Sequence, residues 1–178
     1  GYTDDIHGWS FIGGPGGDVN DDTHELTREL VRLEKVFAGA DGSKIPRSQR
    51  AEYRYYEMVK LKYEEKYTTE SKQYELYRRY YSNLSFGLDT LRKVLGEKPI
   101  NQETVSAITS SDPTVIFAKS LVLGIIKVDP SRLPEEVLID FKKGYDYLRS
   151  QVEFGLNKSF DPRAMVGDNY ANKVERFY

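Results

Sequence analysis

The longest periodic pattern in the chain lies between Pro46 and Pro99. Apolar and aromatic residues recur there at alternating spacings of three and four, at positions 53, 56, 60, 63, 67, 70, 74, 77, 81, 84, 88, 91 and 95, and only Lys60 and Glu70 interrupt the stripe. Glycine enters this stretch only at Gly87 and Gly96. Such spacing keeps one face of a helix apolar over about six heptads. It predicts a long helix at about 47–96, roughly 70 Å if unbroken at 1.5 Å per residue. A break near 67–71 (Tyr67 to Ser71) or a projecting antiparallel arm would accommodate that length. The stripe opens with Tyr53, Tyr56, Tyr63, Tyr67, Tyr74, Tyr77 and Tyr81 and closes with Leu84, Leu88, Leu91 and Leu95. This change predicts a drier core at the leucine end and thinner cover at the tyrosine end.

Shorter patterns flank it. Leu26, Leu30, Leu33 and Phe37, with Val36 beside them, predict a helix capped by Asp22 or Thr23 and ended by Gly39 and Gly42. Asn101 is placed to cap a short helix through Ile108. Asp112 followed by Pro113 opens another, to about Val128, whose VIFAKSLVLGII run is apolar nearly all round and therefore reads as central. A last helix is expected from Ser131 or Arg132 to about Asn157, burying Val137, Phe141, Tyr145, Leu148, Val152 and Leu156. Residues 1–21 and 158–178 lack periodicity and are rich in loop formers. The reading is all-α: a helical bundle at 22–157 between two irregular segments.

Composition narrows the function classes. Twenty-six basic and 28 acidic residues give a net charge of −2, without the basic excess that phosphate neutralisation needs, so no nucleic-acid partner is expected. No apolar run reaches the roughly 18–20 residues of a membrane span. There is no cysteine, which excludes disulfides and thiol chemistry. Fourteen tyrosines carry apolar area with a wet hydroxyl. Tyr53 to Tyr81 is accordingly the candidate contact surface for a protein or peptide, against the simpler reading that a stripe at helical spacing is core.

Candidate chemistry concentrates at the N-terminus and is weak on each count. The Gly13-Gly14-Pro15-Gly16-Gly17 cluster lacks the lysine or serine of a phosphate loop and is followed by Asp18, Asp21 and Asp22. Asp4, Asp5 and His7, or Asp18, Asn20, Asp21 and Asp22, offer metal-type donors without the spacing of a calcium loop. Neither His7 nor His24 neighbours a nucleophile turn.

The opening GYTDDIHGWSFIGG nevertheless resembles a stretch of bacterial subtilisin-like serine proteases. Gly1-Tyr2, Asp4, Asp5, His7, Gly8, Trp9, Phe11, Gly13 and Gly14 match the family motif position by position. The closing FDPRAMVGDNYANKVERFY is similar to the family's segment ahead of its catalytic histidine. The resemblance covers roughly the first 30 and last 20 residues; about 130 residues between them match no family motif. It implies a parent enzyme that cleaves peptide bonds by a serine–histidine–aspartate mechanism. The chain has no Asp-Ser/Thr-Gly, His-Gly-Thr-His or Gly-Thr-Ser-Met, and His7 matches a structural position, so no catalytic residue carries over. What the resemblance implies is a non-catalytic insertion between two catalytic regions, with 1–21 and 158–178 belonging to the protease domain. Its partners would be that domain and protein or peptide substrates, in a secreted or cell-envelope enzyme of a bacterium. No cofactor or metal is expected in this chain, while the parent could hold calcium. An insertion's ends should lie close together. The competing reading is a free-standing helical protein-interaction domain.

Overall fold

The structure, a computed structural model, describes residues 21–162 and the backbone of Gly13–Gly14 and Gly17–Asp18. The chain is all-α, as the periodicity predicts. Gly13–Gly14 (β1) and Gly17–Asp18 (β2) form a two-residue antiparallel ladder with Gly13 opposite Asp18. Among the described residues five α-helices follow: α1 Glu25–Phe37, α2 Arg50–Leu95, α3 Gln102–Ser106, α4 Pro113–Val128 and α5 Pro134–Ser150. Single 3₁₀ turns at Gly42–Lys44 and Arg47–Gln49 precede α2, and α5 runs on as a π-helical turn, Gln151–Gly155. The long helix is unbroken through 67–71. The described helical residues pack as two compact units, whose division falls in that stretch: 21–68 with 150–162, and Thr69–Arg149.

In the first unit α1 buries Leu30, Leu33 and Phe37 against Ile45, Tyr56, Val59, Tyr63 and Leu156. The Phe37 ring meets Tyr53 edge-on at 5.6 Å and Tyr56 at 5.8 Å. Helix α1 stops because Gly39 takes φ +74°, which only a residue without Cβ adopts cheaply. Its start corrects the expected cap. The N-cap is His24, with no side-chain cap bond. The Asp22 carboxylate instead takes the Arg28 guanidinium at 3.0 and 3.1 Å, and the Thr23 hydroxyl donates to Phe160 O at 2.9 Å. Arg28 in the first turn of α1 and the distant Phe160 have taken the two capping groups.

In the second unit Leu84, Leu88 and Leu91 of α2 pack with Ile100, Val105, Ile108, Val115, Ala118, Val122 and Ile126. Gly87 lets α4 approach: a Cβ there would sit 3.3 Å from Leu121 Cδ2. Asn101 and Thr104 form the capping box of α3, and Asp112 accepts from Thr114 N at 2.8 Å above Pro113. Two expectations change. Helix α4 is not central: Val115, Ala118, Val122 and Ile126 are buried, whereas Ile116, Phe117 and Val128 are 51, 45 and 87% exposed. Too few elements surround it to cover all its apolar sides. Helix α5 begins at Pro134, later than expected, because Asp129 draws the Ser131 N–H and hydroxyl into a turn. A proline at the first position gives up no helical hydrogen bond.

Candidate functional site

The described residues bring the incoming and outgoing chain together in the first unit, and the sequence explains how. The His24 N–H donates to Gly155 O at 2.8 Å, and the fully buried Thr27 hydroxyl donates to the same oxygen at 2.7 Å. One carbonyl thus ties two residues of the α1 N-terminus. A π turn supplies that carbonyl. Closing Leu156 N onto Gln151 O at 2.8 Å widens the helix by one residue and re-aims the peptide groups of its last turn. Glycine at 155 leaves room for the imidazole, since a Cβ there would lie 2.5 Å from His24 Nε2 and the ring would have to shift. Around this point Ser150 Oγ donates to Asp21 Oδ1 at 2.6 Å, and the Tyr63 hydroxyl donates to Leu156 O at 2.6 Å. Lys158 Nζ lies 2.7 Å from Glu34 and 5.3 Å from the Tyr63 ring centre. Phe154 and Phe160 meet edge-on at 4.9 Å, and Pro162 is buried. The outgoing segment therefore packs on the helices through residue 162.

A cleft of about 520 Å³ opens beside the junction, lined by Asp22, Thr23, Arg28, Arg32, Lys158 and Phe160 among others. Its charges compensate one another. Burial opposes the charge on Arg28, but the hydrogen bonds of Asp22 and Glu25 outweigh it and raise the pKa. Arg32 is raised by Glu29 and then Glu52, and Glu29 is lowered chiefly by its bond to Arg32. With each guanidinium held between two carboxylates, the cleft offers an incoming anion little. No nucleophile–base pair lines it among the described residues.

The candidate tyrosines divide by burial. Tyr56 and Tyr63 are buried at 7% exposure each, Tyr53 is half-buried, and Tyr67 is exposed but stacks on Tyr63 at 5.9 Å. Burial, then the neighbouring Tyr67 and Glu34, push the Tyr63 phenol up. In the second unit Tyr74 and Tyr81 stack on Tyr145 of α5 at 5.7 and 5.5 Å, and Tyr77 meets Phe141 edge-on at 6.0 Å. These rings carry internal packing, and sequence spacing alone did not say which neighbours they meet.

Asp4, Asp5, His7, Gly8, Trp9 and Phe11, and the closing segment beyond residue 162, lie outside the described residues. Gly13 and Gly14 belong to the short ladder, and α1 begins only at Glu25, so the glycine cluster does not lead straight into a helix N-terminus. Among the described residues no group of three or more histidine, aspartate or glutamate side chains is placed to hold a metal ion. None of the described helices is long and apolar enough to cross a membrane. No known protein family, no curated protein and no solved structure matches this chain.

Proposed function

We propose that the chain is a non-catalytic helical insertion domain of a subtilisin-like serine endopeptidase, which shapes the access of protein substrates to the parent's cleft. The resemblance of the motif at Asp4, Asp5, His7, Gly8, Trp9, Phe11, Gly13 and Gly14 supports the family reading. One observation carries the insertion reading: the chain enters and leaves the helices at the same place, with Thr23 bonded to Phe160 and Asp21 to Ser150. A host domain can accept such a body without opening its own fold, because the ends it must join are already adjacent. The fragment itself cleaves nothing, and Tyr67 is the ring of the tyrosine stripe left open for a substrate or partner.

The test uses the whole protein that contains this chain, with residues 24–159 removed and Thr23 joined to Phe160. Hydrolysis of a short chromogenic peptide should persist. The kcat/KM on folded protein substrates should change by about tenfold or more, equivalent to ~1.4 kcal/mol of transition-state binding. Unchanged protein hydrolysis would remove the gating role. Absence of any peptidase activity in the intact protein would overturn the family assignment. It would leave a free-standing helical interaction domain, a reading favoured by the exposed apolar side chains of α4.

A further inference from the structure

Among the described residues four pairs of tyrosine rings have centres no more than 6.0 Å apart: Tyr53 with Tyr56, Tyr63 with Tyr67, Tyr74 with Tyr145 and Tyr81 with Tyr145. The first two pairs are neighbours on one helix, and each contains a buried ring, Tyr56 or Tyr63. The other two join α2 to α5 within the second unit, and their three rings are all partly exposed. Tyr145 lies against Tyr81 at 5.5 Å and 19° and against Tyr74 at 5.7 Å and 23°, nearly parallel to both. Two helices hold these rings, and Gly144 lets the helices approach, since a Cβ at that position would overlap the Tyr77 ring. With fourteen tyrosines, two methionines, one tryptophan and no cysteine, the phenol is the chain's most abundant oxidisable side chain.

We propose that Tyr145 is a site of oxidative modification, a carbon–carbon cross-link to the stacked phenol of Tyr81 or Tyr74 that ties α5 to α2. Each phenol gives one electron and one proton to a one-electron oxidant, here a haem peroxidase driven by hydrogen peroxide. The two radicals join through ring carbons ortho to oxygen, and each joined carbon passes its hydrogen to the oxygen of its own ring. The sum is two phenols and one hydrogen peroxide going to one biphenol and two waters. Stacking selects these pairs, because coupling needs two ring carbons to meet before either radical is quenched, and both rings stand on helices that keep them facing. Burial sets the first unit's pairs aside: Tyr56 and Tyr63 are shielded from an oxidant, and the Tyr63 hydroxyl is committed to Leu156 O at 2.6 Å. The link closes a loop that contains α3 and α4, and such closure stabilises a fold by restricting the unfolded chain. A chain without cysteine has no disulfide to serve that purpose. This inference does not rest on the protease reading.

The test treats the 178-residue chain with peroxidase and hydrogen peroxide over a series of protein concentrations. Blue biphenol fluorescence should appear in the monomer band of a denaturing gel, at a rate per molecule independent of concentration. Tandem mass spectrometry of a digest should join the Tyr145 peptide to that of Tyr81 or Tyr74. Tyr145→Phe keeps the ring in its stack and should abolish this product, whereas Tyr147→Phe, on the exposed side of the same helix, should leave it unchanged. The melting temperature of the cross-linked monomer should rise by about 5 °C or more, and that of oxidised Tyr145→Phe should not. Biphenol found only between molecules overturns the proposal. So does an intramolecular product that survives Tyr145→Phe or is lost equally in Tyr147→Phe, or a cross-link that leaves the melting temperature where it was.

Discussion

Replacing Gly155 by alanine probes the junction where the chain enters and leaves the helices. Two effects oppose each other. Removing glycine from a helical turn stabilises by roughly 0.5–1 kcal/mol, through the unfolded chain. The new Cβ would lie 2.5 Å from His24 Nε2, 2.8 Å from Cδ2 and 2.9 Å from Cε1, so the imidazole must move. Overpacking of this kind costs about 1–3 kcal/mol. It would also strain the two bonds that His24 N and the Thr27 hydroxyl make to Gly155 O. The expected net loss is about 0.5–2 kcal/mol, or a few degrees in melting temperature for a chain of this size. The decisive comparison is the His24→Ala background, where the ring is absent and Gly155→Ala should become neutral or stabilising. Urea unfolding of the four proteins, followed by far-ultraviolet circular dichroism, closes the cycle. Amide exchange at Thr27 and Arg28 reports the same unit independently. A coupling energy below about 0.5 kcal/mol, the scatter of independent sites, would refute the steric account of the glycine.

Three other outcomes follow from single contacts. Tyr63→Phe keeps the ring under Lys158 but strips Leu156 O of its 2.6 Å donor in a buried site, so denaturant unfolding should show a loss of about 1–3 kcal/mol. Asn101→Ala removes half of the α3 capping box and should cost about 0.5–2 kcal/mol, whereas Asn101→Gly should cost only a few tenths; equal losses would contradict a capping role. Asp112, Asp129 and Asp140 are held below the usual carboxylate range, chiefly by hydrogen bonds from Thr114, Ser131 and Arg132 respectively. Groups with depressed folded pKa values stabilise fully above their unfolded pKa and lose that contribution as pH falls through the folded one. Thermal stability of the second unit should therefore fall below about pH 4, and Asp112→Asn, which keeps an acceptor at the cap, should flatten the acid limb.

Local chemistry made part of this fold readable. Asn101, and Asp112 with Pro113, specify their helix starts, and both caps appear as the sequence predicts, with Thr104 completing the box at Asn101. The long stripe specifies α2 because a continuous apolar face needs no knowledge of its partner. The misread boundaries depended on which of several partners each polar group took. Asp22 and Thr23 are good caps by type, yet their oxygens bond Arg28 and Phe160, the latter 137 residues away. The π turn exists where Gly155 meets His24, and its one local trace is a glycine inside an otherwise helical pattern. Helix α4 shows the limit of hydrophobicity as a guide: VIFAKSLVLGII is apolar on every side, but only the side facing the α2 leucines and α3 is covered.

The tyrosines show why the site was harder to read than the fold. At position 63 a leucine would fill the same core, but Leu156 O would lose its donor, so tyrosine there serves the chain junction. At 74, 77 and 81 the rings lie half-exposed against Phe141 and Tyr145, where a flat ring with a polar edge suits a surface that one neighbouring helix covers incompletely. One residue type at one spacing thus serves two purposes, and only the placement of α5 and of the segment after it separates them. The two purposes fall in different units.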